Sequence, residues 1–91
     1  MITDKTNETL VILQEECAEV IQEVSKCFRF GIDAMHKDGM VHRAKLEMEI
    51  GDMLAMVDIL LANGVIKQEN LNLAKQNKVN KLKIYSSIYE N

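Results

Sequence analysis

An all-α fold, a helical bundle of three main helices completed by association of chains, is what this sequence predicts, and three observations carry the prediction. Apolar residues recur three and four apart over long stretches, as they do on one face of a helix. The 91 residues contain no proline, so nothing forces a break inside those stretches and the breaks fall at Gly, Asn and Asp. A chain of 10.4 kDa holds one domain and buries only a modest share of its own surface, so the remaining cover has to come from another copy.

The first helix runs from Thr3 or Asp4, both good caps, to about Phe28. Its seam is Leu10, Leu13, Cys17, Val20, Val24 and Cys27, spaced alternately three and four apart. The period is lost at Phe28-Arg29-Phe30-Gly31-Ile32-Asp33 and Asp38-Gly39 punctuates again, so residues 30–39 read as a loop. A second helix follows from about Met40 to Ala62, with Asn63-Gly64 as its stop. The third begins near Lys67, carries Leu71, Ala74, Lys78, Lys81 and Tyr85 on one stripe, and frays after Ser86. Three such helices with short connections make a bundle of one domain, residues 1–91.

Composition excludes several functions. With 47% hydrophobic and 27% charged residues and a net charge of −3, the chain reads as globular rather than disordered or polyanion-binding. Two Tyr, two Phe and no Trp give no platform for stacking bases, so no nucleic acid partner is expected. The start, Met1-Ile2-Thr3-Asp4-Lys5, lacks a signal-peptide core, and Asp52 and Asp58 interrupt the richest apolar stretch. No membrane association is expected, and a cytoplasmic protein of bacterial or phage type is the natural reading. Cys17 and Cys27 lie ten residues apart on one helix, about 15 Å along its axis, and read as reduced packing residues. Residues 1–63 carry six basic and twelve acidic side chains, whereas residues 64–91 carry five Lys against Glu69 and Glu90. An acidic body therefore faces a basic third helix.

The chemistry concentrates in carboxylates. Glu15-Glu16-Cys17-Ala18-Glu19 puts Glu16 and Glu19 three apart and Glu15 and Glu19 four apart, neighbours on a helix surface, and Glu23 extends the cluster by a turn. A plain solvated face would look the same. The second helix is more informative: twelve of the seventeen residues from Leu46 to Ala62 are apolar, yet Glu49 and Asp52 share a stripe with Met56, Ile59 and Leu60. Uncompensated burial of two carboxylates costs several kcal/mol per ion. A hard divalent cation, which takes oxygen ligands, would compensate Glu16, Glu19, Glu49 and Asp52; pairing with Lys or Arg is the plainer alternative. Glu47 and Asp58 face elsewhere and read as solvated and as structural or interfacial. Lys78 and Lys81 occupy a stripe where a core-facing helix would be apolar, so they either meet an anion such as a phosphate chain or snorkel to water. Lys45, four residues before Glu49, suits a phosphate or a helical ion pair. His36 and His42 follow Asp33 and Gly39 without a Glu-x-x-His pair, and Gly31, Gly39, Gly51 and Gly64 are isolated, which excludes a di-iron site and a Gly-rich phosphate loop.

The acidic pair of motifs resembles the MazG-like all-α nucleoside triphosphate pyrophosphohydrolases, whose pattern is Glu-Glu-x-x-Glu on one helix and Glu-x-x-Asp on the next. Glu15-Glu16-Cys17-Ala18-Glu19 and Glu49-Ile50-Gly51-Asp52 match it in order and setting. Lys45 before the second motif, and Lys78-x-x-Lys81 with Tyr85 on the last helix, extend the likeness over nearly the whole chain. Met48 stands where the family often has a further Glu.

The resemblance implies hydrolysis of a (deoxy)nucleoside triphosphate to the monophosphate and pyrophosphate, with Mg²⁺ as cofactor and Mn²⁺ as an alternative. By this carry-over Glu16, Glu19, Glu49 and Asp52 are metal ligands, and Glu15 is a further ligand or the group that deprotonates the attacking water. Lys45, Lys78 and Lys81 hold phosphate oxygens. Phe28, Arg29, Phe30 and Met56 are the candidates around the base, although Phe28 continues the apolar seam and reads as a core residue; Tyr85 is a further substrate-binding residue. Phosphoribosyl-ATP pyrophosphatase shares fold and chemistry and is the alternative within this class; a non-catalytic helical dimerisation or regulatory module is the alternative outside it. The family and the faces of the second helix both point to a homodimer or homotetramer, because a lone chain would leave Met53, Leu54, Val57 and Leu61 uncovered.

Overall fold

The computed structural model describes residues 3–90. They form three helices, α1 (Asp4–Phe30), α2 (His42–Ala62) and α3 (Gln68–Tyr85), and no strand is found among them. The all-α class and the three-helix order are as the sequence predicts.

Thr3 caps α1, its hydroxyl oxygen accepting from the Thr6 N–H at 3.0 Å. Asp4 lies in the first turn and Arg29 in the last, each favourable to the helix dipole. The helix ends where the Gly31 N–H donates to the Cys27 carbonyl, two residues beyond the expected Phe28. α2 starts at His42 rather than Met40 because the preceding residues belong to a closed loop. His36 N–H donates to the Met40 carbonyl, Met40 N–H donates to Asp38 Oδ1, and Met35 and Val41 form an isolated antiparallel bridge. No side chain caps α2. Loop carbonyls do so instead, with His42 N–H donating to Ala34 at 3.0 Å and Arg43 N–H to Ile32 at 2.7 Å, which satisfies otherwise orphaned donors. Arg43 adds a two-pronged contact to Asp33 at 2.9 and 3.1 Å. The far end of α2 closes at Asn63-Gly64 as expected. Gly64 has φ +70°, a conformation costly for any residue with a Cβ.

α1 and α2 pack along each other, antiparallel, since residues later in α1 meet residues earlier in α2. The less exposed positions of α1 are Thr6, Thr9, Leu13, Glu16, Val20, Glu23 and Cys27, and those of α2 are His42, Leu46, Glu49, Met53, Met56 and Leu60. Both sets alternate three and four apart. Leu13, Cys17, Val20 and Cys27 of the expected seam are half-buried, but Leu10 and Val24 are exposed and give way to Thr9 and Glu23, one residue earlier. Glu16 and Glu23 thereby turn inward. Cys17 and Cys27 are both free and half-buried, as expected. Phe28 is 87% exposed, which corrects its assignment to the core: it stands opposite the α2 face.

α3 does not pack along α1 or α2. The described residues are accordingly flat, 44 × 37 × 15 Å, with a radius of gyration of 16.1 Å against about 12 Å for a compact chain of this length. Among the described residues Leu60 is the one buried hydrophobic side chain, while Met48, Leu54, Ile59, Leu73 and Ile84 are exposed. Of the α2 residues expected to be uncovered, Leu54 is; Met53, Val57 and Leu61 are half-buried. The open apolar surface lies further round, over Met48, Leu54 and Ile59.

Candidate metal centre

Glu16 and Glu19 are one turn apart on α1, and the antiparallel pairing brings Glu49 of α2 to them. One carboxylate oxygen from each of the three lies within 4.8 Å of the others. Oε2 of Glu16 and Oε2 of Glu49 are buried without any hydrogen-bond partner. Burial raises the pKa of Glu16 above its usual value, and the charges of Glu19, Asp52 and Glu15 add to the shift. Glu49 is raised for the same leading reason, helped by a hydrogen bond with Glu19 and by the charges of Glu19, Asp52 and Glu16. Two partnerless oxygens in a converging acidic set are costly for the chain alone. A hard divalent cation, which takes oxygen ligands, would satisfy both.

Asp52 shares this charge cluster but is exposed, which corrects the inward placement read from the helix stripe. Three residues after Glu49 it is turned about 60° away from it, past the edge that α1 covers. Ile59, on the same stripe, is exposed for the same reason, while Met56 is half-buried and Leu60 buried. Glu15 is exposed beside the cluster, and Glu47 and Asp58 are exposed as well.

Lys45 does not pair with Glu49. Its Nζ is 3.0 Å from Asp38 Oδ2, and this hydrogen bond raises its pKa. The Met40 amide, Lys45 and His36 together hold the Asp38 carboxyl well below the usual carboxylate range. Lys78, Lys81 and Tyr85 are exposed on α3, and the single chain does not bring them to the carboxylates. The stripe expected to face a core finds none, because α3 has no helix beside it.

The sequence reading missed a buried pair one turn along from Glu19. His42 Nδ1 is 2.8 Å from Glu23 Oε1, and the two side chains are only 2% and 3% exposed. Phe30 stacks on the His42 ring at 5.5 Å and 13°, and His36 meets it edge-on. Arg29 lies over the outer side of this group, 4.9 Å from the Phe30 centroid. The available signal was Glu23 sitting seven residues after Glu16, with the same heptad phase, opposite a helix whose first residue is a histidine.

A model of one family, the MazG nucleotide pyrophosphohydrolase domain, matches residues 5–84. The chain belongs to this family. No curated protein and no solved structure matches it. Nucleotide pyrophosphohydrolase activity is thus supported at the level of the family, and MazG domains are generally dependent on divalent metal. No helix of this MazG domain, among its described residues, is long and apolar enough to cross a membrane.

Proposed function

We propose that this MazG domain hydrolyses a (deoxy)nucleoside triphosphate between its α and β phosphates, releasing the monophosphate and pyrophosphate, in a Mg²⁺-dependent reaction. The observation that carries the reading is the pair of partnerless carboxylate oxygens on Glu16 and Glu49 inside the acidic cluster of a pyrophosphohydrolase family. Glu16, Glu19, Glu49 and Asp52 would hold the metal. When bound, such an ion supplies a water of lowered pKa and neutralises charge on the phosphoryl oxygens. Glu15 orients and deprotonates the attacking water from the rim of the cluster. Lys45 is kept extended by Asp38 and meets a phosphate oxygen once the substrate competes for it. Arg29 and Phe30 border the base; Met56, about 20 Å along α2 from the His42 ring on which Phe30 stacks, lies beyond its reach. Incubating the protein with Mg²⁺ and a panel of triphosphates tests this directly. Monophosphate and pyrophosphate should appear in equal amounts; a diphosphate with orthophosphate, or no turnover of any triphosphate, defeats the proposal.

The working form is a homodimer or homotetramer in the cytoplasm. Flatness, an unpacked α3 and exposed Met48, Leu54 and Ile59 support association, since a second copy would cover them and bring Lys78, Lys81 and Tyr85 of one chain toward the carboxylates of another. Sedimentation at micromolar concentration should give a dimer or larger species. A stable, active monomer would refute this assembly. Lys78→Ala or Lys81→Ala should raise KM several-fold with a smaller change in kcat, as expected for groups that hold spectator phosphates. Steady-state kinetics unaltered in both variants would return these lysines to the solvent.

A further inference from the structure

A cavity of about 390 Å³ opens at the end of α1, lined by Lys26, Arg29, Phe30, Met35, His36, Lys37 and His42, a volume within the ~300–1,000 Å³ range of small-ligand pockets. It holds an aromatic and a thioether wall, Phe30 and Met35, and no carboxylate or amide side chain. Among the described residues Lys26, Arg29 and Lys37 take part in no ion pair. These three side chains can only donate hydrogen bonds. His36 is turned toward Asp38 through its Nδ1, which lies 3.2 Å from the Asp38 N and 3.1 Å from Asp38 Oδ1. His42 is committed to Glu23 and covered by Phe30 and His36. Lys26 follows Glu19 by seven residues, about 10 Å along α1, a separation that a pentose bridges between phosphate and base.

We infer that this cavity selects bases by one edge, favouring guanine and uracil or thymine, which present the carbonyl oxygens O6 and O4 there, over adenine and cytosine, which present at the same place an amino group that the cationic side chains cannot accept. The inference rests on the proposed nucleotide hydrolysis and names its substrate class. Phe30 and Met35 pack the ring, while Lys26, Arg29 and Lys37 read the oxygens. Cationic donors on guanine O6 and N7 are the commonest base contact in nucleic acid recognition, and a good pair discriminates by ~1–3 kcal/mol, or roughly tenfold and more.

The test is calorimetric titration, with Mg²⁺ present, of the non-hydrolysable α,β-imido analogues of dGTP, dUTP, dCTP and dATP, together with tripolyphosphate. The two keto analogues should bind at least about tenfold more tightly than the two amino analogues, and Lys26→Gln, which introduces an acceptor, should bring that ratio toward one. A variant that merely loosened the fold would weaken all four analogues alike and keep the ratio. Equal affinities, a preference for amino bases, or tripolyphosphate binding as tightly as the dUTP analogue would overturn the inference. Turnover of the natural triphosphates separates the two readings: hydrolysis without base preference sinks this one alone, and absence of both binding and hydrolysis sinks both.

Discussion

Glu49→Gln should lower turnover by more than about 100-fold, since even outer-shell partners of metal ligands cost ~10–100-fold, while making the metal-free protein more stable. The substitution keeps the volume and removes one charge from a cluster in which burial and Glu19 already push the Glu49 carboxyl upward. A carboxylate whose pKa is raised by folding contributes stability that is fully present below its ordinary value of 4.5 and is lost as pH rises through the raised one. Metal-free wild type should therefore melt at a lower temperature at pH 8 than at pH 5, and Glu49→Gln should flatten this slope. Saturating Mg²⁺ reverses the order. At a hundredfold excess over Kd it adds ~2.7 kcal/mol to the wild type, roughly 10 °C or more for a domain of this size, and little to the variant. Thermal melts with and without Mg²⁺, run beside the turnover assay, provide the check. Full activity in Glu49→Gln, or a wild type whose melting ignores Mg²⁺, would dismantle the metal centre.

His42→Ala should unfold the chain or bring it close to unfolding. Glu23 is 3% exposed beside the imidazole, whose removal takes away its hydrogen-bond partner, and breaking one side of a buried pair costs about 3–5 kcal/mol. Domains of this kind have only ~5–15 kcal/mol in total, and here the core that would absorb the loss is small, with Leu60 the one buried hydrophobic side chain among the described residues. Replacing both partners, Glu23→Leu with His42→Leu, should recover most of the stability, because nothing buried is then left unpaired and two apolar chains fill the space. Circular dichroism melts of the single and double variants decide the point. A His42→Ala protein as stable as wild type would mean that water reaches Glu23 and that the pair does not join α1 to α2.

The helices and their stops were legible in the sequence because they depend on near neighbours: Thr3 caps, Asn63-Gly64 ends α2, and no proline intervenes. The acidic motifs were legible for the same reason, being three-residue spacings on single helices. Which face of α1 turns inward was not a local matter. Leu10 and Val24 offered an apolar seam, but the structure buries Thr9 and Glu23 at the adjacent positions and half-buries Glu16 beside Cys17. A carboxylate can take such a place only if the opposite helix answers it, as His42 does for Glu23 and as Glu49 does in making a shared site with Glu16 and Glu19. That answer depends on the antiparallel register of α1 against α2, a long-range pairing that periodicity in either helix does not contain. The same holds for Asp52, which has the right spacing but lies past the edge covered by a single neighbour, and for Lys78 and Lys81, whose stripe has no neighbour within the chain. Element type and motif order were thus decided along the chain, by propensity and spacing; the seam, the buried pair and the open face of α3 were decided across it, by which surfaces meet.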